Sequence, residues 1–317
     1  MLMALETPVF EHFSLWSTSV SLGVSKSEKM SEARSILDKV LEDVDMAANR
    51  FKPESEIHKV NGRDGMGPSK VSKMFFDLTL QSLWAYRITN RAFDPTILDA
   101  LIIEGYNRDF DEITRTESGR SIPSQWADGI ILNRNSMTVD LPPGVHLDFG
   151  SLAKARAADL AADSIAHQLN TGVLVSIGGD IRVAGDEIEG GWIVGIAQSA
   201  RNTKNPIVDE VISISSGGLA SSSSVIRQWE NSSSNKEEPS FKHHIIDPST
   251  GKSAVTPFKM VSVTGSTCVE ANTFSTASIV WGEDALFHLP QNSLPSRLVR
   301  IDDSVEYLGN WPEPLDL

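Results

Sequence analysis

Two groups of side chains in the C-terminal part of the chain have the types needed for proton transfer and metal binding. His244 and Asp247 lie where an apolar run enters a Pro–Gly turn that ends at Gly251. An imidazole at such an exposed strand end is suited to proton transfer. Asn272 and Thr276 are four residues apart and share one helix face. Their oxygens could complete an octahedral magnesium shell, although a solvated helix face is the alternative.

Three segments nearer the N-terminus could bind an aromatic or anionic ligand. Phe51 follows a predicted helix in a loop with a turn-forming proline, where it could face a flat ligand or cover the core. Pro95 keeps Asp94 out of helical geometry, so the carboxylate either binds a ligand or only stabilises its turn. Asp148 and Lys154 flank a predicted helix start, which favours an anion. A structural pair between lysine and aspartate is the alternative.

The hydrophobic pattern predicts the elements that must position these residues. Helical spacing covers residues 27–48, 69–89, 151–169 and 270–281, and apolar runs or alternation predict strands at 20–24, 130–132, 137–141, 173–177, 192–197, 211–215, 244–246, 260–264 and 298–301. Gly178 and Gly179 end one of these strands, where a ligand could approach the backbone closely. The polar segment 231–240 is predicted to be an exposed loop. Because strands and helices do not alternate regularly, we expect an α+β fold and not a doubly wound parallel sheet.

Composition excludes several classes of protein. The chain has 28 Lys and Arg against 42 Asp and Glu, and its net charge of −14 disfavours nucleic acid and anionic membranes as partners. Cys268 is the only cysteine, so a disulfide scaffold and a cysteine-rich zinc site are excluded. No membrane span and no basic N-terminal signal are visible, so we expect a cytoplasmic protein. A phosphate-bearing ligand would need positive charge supplied locally.

Six short segments, taken together and in order, resemble the ApbE family of flavin transferases. They are residues 51–61, 92–96, 148–154 with Asp159, 175–180, 243–251 and 272–276. The resemblance runs from about Trp16 to Gly282. It implies a single α+β domain over residues 1–317, with a core match at 10–282 and mixed or antiparallel sheets flanked by helices, as in folds related to the T-fold.

The resemblance also implies an activity. Members of this family transfer FMN from FAD to a Thr or Ser hydroxyl of a target flavoprotein with the help of magnesium, and release AMP. The expected partners are therefore FAD and an acceptor flavoprotein with a Ser/Thr flavinylation motif. The nearest string here, Asp64-Gly-Met-Gly67, lacks the hydroxyl, so we expect the acceptor to be a different protein. Hydrolysis of FAD to FMN and AMP, and FAD binding without catalysis, are the alternatives.

Motif positions assign roles to individual residues through this resemblance. The expected contacts to FAD are Trp16, Phe51, Ala92, Phe93, Asp94, Asp148, Lys154 and Ile246. The expected metal contacts are the backbone oxygen of Ser151 and the side chains of Asn272, Ser275 and Thr276, while His244 would act as the base, oriented by Asp247. Asn272 stands where the family commonly has aspartate, which removes one negative charge from the metal site. Glu270 is close enough in sequence to compensate.

Overall fold

The computed structural model describes residues 7–108, 112, 113, 115, 116, 120–197, 208–231 and 241–316. The helices are Met30–Ala48 (α1), Glu56–Asn61 (α2), Lys73–Ile88 (α3), Leu98–Ile103 (α4), Ala153–Leu169 (α5), Cys268–Trp281 (α6) and Ala285–Gln291 (α7). The strands are Val9–Leu15 (β1), Thr18–Val24 (β2), Ser69–Lys70 (β3), Arg115–Thr116 (β4), Ile131–Asn133 (β5), Thr138–Asp140 (β6), Val173–Ile177 (β7), Asp180–Ala184 (β8), Trp192–Ala197 (β9), Val208–Ile214 (β10), Gly217–Ser223 (β11), Gln228–Asn231 (β12), Phe241–His243 (β13), Ile246–Asp247 (β14), Lys252–Ser253 (β15), Phe258–Gly265 (β16), Ser296–Arg300 (β17) and Val305–Leu308 (β18). In this part of the chain no helix combines the length and the apolar character needed to cross a membrane.

An eight-stranded sheet forms the centre of the molecule. Its strands follow the order β1-β2-β7-β8-β11-β16-β17-β18, and each neighbouring pair is antiparallel. Smaller sheets pair β9 with β10, β14 with β15, β3 and β5 with β6, and β12 with β13 and β4. The predicted α+β class with antiparallel sheets and flanking helices is confirmed.

The helices cover the sheet because their apolar faces match it. In α1 the buried positions Ala33, Leu37, Leu41 and Val44 recur at helical spacing. The alanine-rich α5 presents small side chains, so it packs closely on α1, α6, β7 and β8. Most of α6 is buried around its whole circumference, against β11 and β16. Together these contacts hold α5 and α6 against each other and against the sheet.

Two tight hairpin turns shape one end of the sheet. Trp16 and Ser17 connect β1 to β2 with φ values of 51° and 52°, a left-handed conformation that bulky residues rarely adopt. Gly178 and Gly179 connect β7 to β8 with φ values of 64° and 94°. A Cβ atom on Gly178 would lie 2.6 Å from Oγ1 of Thr18, so the close approach that this glycine permits is to a neighbouring strand. The second turn thus lies against the start of β2 and leads directly into β8.

Several predicted elements differ from the structure in their extent. The strands at Val173–Ile177 and Trp192–Ala197 have the predicted bounds, and the predicted helices are present with shifts of a few residues at their ends. The predicted strand at 244–246 is wrong, because β13 ends at His243 and the backbone bends at His244 before β14 begins. In the predicted loop 231–240 only Asn231 is described, as the last residue of β12; the other positions lie outside the described residues.

The start of α6 is joined to α5 by a buried carboxylate. Asp159 of α5 accepts hydrogen bonds from the backbone N–H groups of Cys268 at 2.7 Å and Val269 at 3.0 Å. Thr267 caps the same helix end by accepting from the N–H of Glu270 at 3.0 Å. Two of the otherwise unpaired N–H groups of α6 are therefore satisfied by a side chain from another helix. This contact fixes the position of α6 against α5.

We predict that Asp159→Ala lowers the free energy of unfolding by about 3 kcal/mol, because two buried N–H groups lose their acceptor. Denaturant unfolding followed by circular dichroism measures the change. Asp163→Ala is the matched control on the same helix, since this half-exposed carboxylate pairs with the side chain of Arg182 and with no backbone N–H group among the described residues. We expect the control to change stability by less than about 1 kcal/mol. Equal effects of the two variants would contradict the bridging role of Asp159.

Candidate active site

A cleft of about 960 Å³, its open mouth included, lies beside the β1–β2 turn, the end of α1 and the start of α5. Its walls are formed by Trp16, Ser17, Val44, Asp45, Ala48, Asn49, Arg50, Phe51, Leu101, Tyr106, Asp148, Gly150, Ser151, Ala153, Lys154, Arg227 and His244. Residues from distant parts of the sequence meet here. The structure thereby brings together the predicted site residues Trp16, Phe51, Asp148, Ser151, Lys154 and His244.

Other predicted site residues do not line this cleft. They are Ala92, Phe93, Asp94, Ile246, Asp247, Asn272, Ser275 and Thr276. Phe93 belongs to the main hydrophobic core, and Ile246 packs among Ile97, Ala100 and Leu101. These residues support the walls from behind or belong to the neighbouring group around α6.

Asp148 is held in the cleft wall by a turn and an ion pair. Its Oδ1 accepts a hydrogen bond from the N–H of Gly150 at 2.8 Å, and its Oδ2 lies 3.1 Å from Nε of Arg50. The N–H of Asp148 donates to the carbonyl of Pro95 at 2.8 Å. A backbone hydrogen bond therefore joins the predicted turn at Asp94 and Pro95 to Asp148, which lines the cleft.

The carboxylate of Asp94 is fully engaged inside its own turn. Its Oδ1 accepts from the N–H of Thr96 at 2.8 Å and from Oγ1 of Thr96 at 2.7 Å, while its Oδ2 accepts from Oγ of Ser124 at 2.6 Å. Burial raises the pKa of this carboxyl group, and the hydrogen bonds act in the opposite direction. The predicted ligand contact by this side chain does not fit this geometry, because Asp94 lies behind Asp148 and supports it.

An arginine between two aromatic rings forms another wall of the cleft. The guanidinium carbon of Arg50 lies 4.5 Å from the ring centre of Phe51 and 4.7 Å from that of Tyr106. Tyr106 also meets the ring of His244 edge-on, with centroids 6.5 Å apart. Sequence reasoning missed both Arg50 and Tyr106. Arg50 stands directly before Phe51 in the first motif, which was a usable signal, whereas nothing near Tyr106 in sequence indicated its position.

Trp16 is fixed in the cleft wall by a carboxylate of α1. Its indole Nε1 donates to Oδ1 of Asp45 at 2.8 Å, and Asn49 donates to the same oxygen at 2.8 Å. Lys52 forms an ion pair with the other oxygen of Asp45. Burial favours a higher pKa for Asp45, but the hydrogen bonds from Lys52, Asn49 and Trp16 outweigh it and lower the pKa. The strained Trp16 turn is thus anchored to the end of α1.

Lys154 connects the cleft to a buried group of polar side chains. Its Nζ lies 3.9 Å from Oδ2 of Asp180, and Oδ1 of Asp180 accepts from Nδ2 of Asn272 at 3.1 Å. Burial lowers the pKa of Lys154 and raises that of Asp180, while the charge of each partner opposes the shift. Lys154 therefore forms a pair with an aspartate and also lines the cleft, while its predicted role in binding an anion stays a prediction.

The predicted metal-binding residues of α6 lie next to this pair. Among the described residues no group of three or more His, Cys, Asp or Glu could hold a metal ion, so any site here depends on neutral oxygens. The Oδ1 of Asn272 is buried without a hydrogen-bond partner within the described chain, which fits a cation ligand. The hydroxyls of Ser275 and Thr276 lie 2.9 Å and 3.1 Å from Oγ of Ser222. Ser275 also donates to the carbonyl of Asn272 at 3.1 Å, a contact within α6.

Glu270 does not compensate for the missing carboxylate at position 272. Its Oε2 accepts hydrogen bonds from the N–H and the hydroxyl of Ser266 at 2.7 Å and 2.6 Å. It also lines a different cleft, together with Thr264 and Leu294. The expectation based on closeness in sequence is therefore wrong, because the side chain is engaged in the turn before α6.

His244 lies half-buried in the cleft wall and is held neutral. Burial lowers its pKa well below the usual value for histidine, and the positive charge of Arg227 adds to this effect. Its Nδ1 is buried and has no hydrogen-bond partner among the described residues. Asp247 does not orient this ring, since its Oδ1 accepts from the N–H and hydroxyl of Ser249 at 2.9 Å and 2.7 Å. The predicted contact between Asp247 and His244 is thus replaced by a capped turn.

The charges around the cleft differ from those of the whole chain. The cations among its described lining residues are Arg50, Lys154 and Arg227, and the anions are Asp45 and Asp148. Sequence reasoning missed Arg227, which follows a serine-rich run. The cleft therefore offers a small local excess of positive charge in a protein whose net charge is −14. This local charge favours an anionic ligand over a cationic one.

Known proteins resemble this chain over most of its length. The FAD:protein FMN transferase of Haemophilus influenzae is 28% identical over 283 residues, which cover 86% of this chain and 79% of that protein. The enzyme of the same name from Vibrio cholerae is 24% identical over 287 residues, covering 88% of this chain and 83% of its own length.

Solved structures share the fold. The ApbE protein of Thermotoga maritima superposes with a TM-score of 0.78 at 22% identity, covering 95% of this chain and 97% of that one. The flavin transferase ApbE of Vibrio cholerae gives a TM-score of 0.73 at 19% identity, covering 95% and 96%. The sequence model of the ApbE family matches residues 16–297. The chain therefore belongs to the ApbE family.

Proposed function

We propose that this protein is a FAD:protein FMN transferase, which moves FMN from FAD to a Ser or Thr hydroxyl of an acceptor flavoprotein and releases AMP. The observation that carries the proposal is the composition of the cleft. Aromatic faces, three cations and a neutral imidazole line one cavity. The names of the relatives supply the reaction class.

The cleft offers both kinds of group that a flavin dinucleotide needs, aromatic rings and cations. Trp16, Phe51 and Tyr106 offer aromatic faces on which a flat ring system can stack. Arg50, already between two of these rings, and Lys154 supply charge for the pyrophosphate. Asp148 accepts hydrogen bonds, so it suits polar N–H or O–H groups of the ligand.

His244 is the residue proposed to act as general base. In the transfer, the acceptor oxygen forms a bond to the phosphorus of FMN, and the bond from that phosphorus to the bridging oxygen of AMP breaks. The hydroxyl proton passes to His244, which is available because burial keeps the imidazole neutral. Asp247 is not part of this step, because its contacts lie in its own turn.

The proposed metal ligands are the backbone oxygen of Ser151 and the side chains of Asn272 and Thr276. A bound magnesium ion would neutralise the pyrophosphate and stabilise the charge that develops on AMP. The unpartnered Oδ1 of Asn272 supports this assignment. Ser275 is proposed to hold α6 in position beside the ion, since its hydroxyl contacts Ser222 and the carbonyl of Asn272.

We predict that the protein, incubated with FAD, Mg²⁺ and an acceptor domain bearing a Ser/Thr flavinylation motif, adds one FMN to that domain. Intact-mass spectrometry detects the adduct. His244→Ala should slow the transfer by about 10²–10⁴-fold, because the general base is lost. His167→Ala is the matched control, since this exposed histidine lies on α5 away from the cleft. An acceptor with alanine in place of its Ser or Thr should gain no mass.

The products separate the proposed activity from its two alternatives. Release of free FMN and AMP with no adduct on any acceptor would identify a FAD pyrophosphatase. Tight FAD binding with no product over hours would identify a non-catalytic flavin-binding protein. Either result would overturn the proposed transfer.

We predict that the acidic limb of the kcat/KM profile lies below pH 6.5, the ordinary pKa of histidine. The base works unprotonated, and burial lowers the pKa of His244, so activity persists below that pH and falls only as the pH drops through the lowered value. Initial rates across pH 5 to 8 in constant ionic strength measure the limb. A limb above pH 6.5 that disappears in His244→Ala would contradict this reasoning.

We predict that Asp148→Asn and Asp94→Ala separate ligand binding from support of the cleft. Asp148→Asn should weaken FAD binding about tenfold, because the cleft loses a carboxylate, and it should also lower the melting temperature, because the largely buried Arg50 loses its ion-pair partner. Asp94→Ala should lower the free energy of unfolding by about 2–3 kcal/mol, because the donors on Thr96 and Ser124 lose a buried acceptor. Flavin fluorescence and denaturant unfolding measure the two effects. A reversed pattern would mean that Asp94, and not Asp148, faces the ligand.

A further inference from the structure

We propose that Asp180 is the residue that makes Asn272 a metal ligand, by orienting its amide and by supplying the negative charge that an asparagine lacks. Asp180 is a positioning residue in this scheme, since it acts through Asn272. The inference rests on the metal dependence of the proposed function. It assigns a role to Asp180, which the sequence analysis included only as the last residue of the motif at 175–180.

The orientation of the Asn272 amide follows from its buried neighbour. Its Nδ2 donates to Oδ1 of Asp180 at 3.1 Å, and both side chains are more than nine-tenths buried. This contact places the NH₂ end of the amide against a carboxylate oxygen of Asp180, which accepts the hydrogen bond. The carbonyl Oδ1 of Asn272 must therefore point away from Asp180.

The oxygen end of that amide is the feature that indicates a ligand. The Oδ1 of Asn272 is buried and has no hydrogen-bond partner among the described residues. Buried polar atoms are normally paired, and an amide oxygen is a suitable ligand for magnesium or manganese. Thr276 lies one turn further along α6, so its hydroxyl is on the same helix face. An oxygen donor set is thus prepared on one side of α6.

The negative charge of Asp180 would stabilise a bound cation through the hydrogen bond to Asn272. Carboxylates behind a ligand orient it and strengthen it as an electron donor. The Nζ of Lys154 lies 3.9 Å from the second oxygen of Asp180, so a positive charge stands beside this carboxylate, and the same lysine lines the cleft. The Gly178–Gly179 turn fixes the start of β8 and therefore the position of Asp180.

Other carboxylates near this position are already engaged. Asp159 accepts from the backbone of Cys268 and Val269, and Asp148 accepts from Gly150 and pairs with Arg50. Within the described chain Asp180 is the carboxylate that contacts Asn272. It is therefore the group that can restore the charge lost at position 272.

Metal affinity, measured without turnover, tests the proposal. Mn²⁺ is the probe, and its free concentration is followed by electron paramagnetic resonance with the full chain in the presence of FMN and AMP. We expect Asp180→Asn to weaken Mn²⁺ binding about 10–100-fold. Asn272→Leu should abolish it. Asn272→Asp, introduced into the Asp180→Asn variant, should recover most of the lost affinity because the carboxylate returns to the ligand itself.

Asp303→Asn is the matched control for charge, since Asp303 is exposed and pairs with Lys259 on the surface. It should leave Mn²⁺ affinity unchanged. Wild-type affinity in Asp180→Asn or in Asn272→Leu would overturn the proposal, as would a failure of Asn272→Asp to restore binding. If Asp180→Asn does not fold, as judged by circular dichroism, Asn272→Leu and the double variant decide the question.

The outcome can be told apart from failure of the proposed function. Mn²⁺ binding that depends on Asp180, in a protein that transfers no FMN, would support the metal site and reject the transferase. FMN transfer that proceeds equally with Asp180→Asn at all Mn²⁺ concentrations would support the transferase and reject the role of Asp180.

Discussion

The cleft depends on the pairing of a largely buried lysine with a buried aspartate. A charge removed from water is strongly unfavourable unless an opposite charge and hydrogen bonds meet it. Lys154 comes from α5, Asp180 from β8 and Asn272, which binds the same carboxylate, from α6. Because any change in the relative position of these three elements would leave a charge unpaired, the pair fixes the geometry of the site as well as its charge.

Cations that are held in place by their neighbours also explain how an acidic protein can present a site for an anion. The overall charge of −14 is distributed over the chain, whereas Arg50, Lys154 and Arg227 are concentrated along one cleft. Arg50 is held by two aromatic rings and by Asp148, so its position is set before a ligand arrives. A preorganised cation loses little side-chain entropy on binding, which favours an anionic ligand more than a mobile surface lysine would.

Elements with strong hydrophobic periodicity could be predicted from the sequence, and contacts between distant residues could not. The strand Val173–Ile177 and the helices α1 and α5 follow from local apolar spacing. The strand β11 was not predicted, because its glycines and serines give no apolar alternation, although several of the serines are buried against β16 and α6. The Trp16 turn was missed because its stability comes from the distant Asp45 and not from turn-forming residues.

Motif positions mark residues that face a ligand and residues that hold them in place, and residue type alone does not separate the two groups. Asp94 and Asp148 are both aspartates in short motifs, yet one carboxylate is engaged with Thr96 and Ser124 while the other reaches the cleft. A substitution in a motif must therefore be judged by its contacts. The asparagine at position 272 removes a charge from one side chain, but its amide lies against Asp180, so the charge is still adjacent to the site. A departure from the family pattern at one residue must therefore be interpreted together with the charged side chains that contact it.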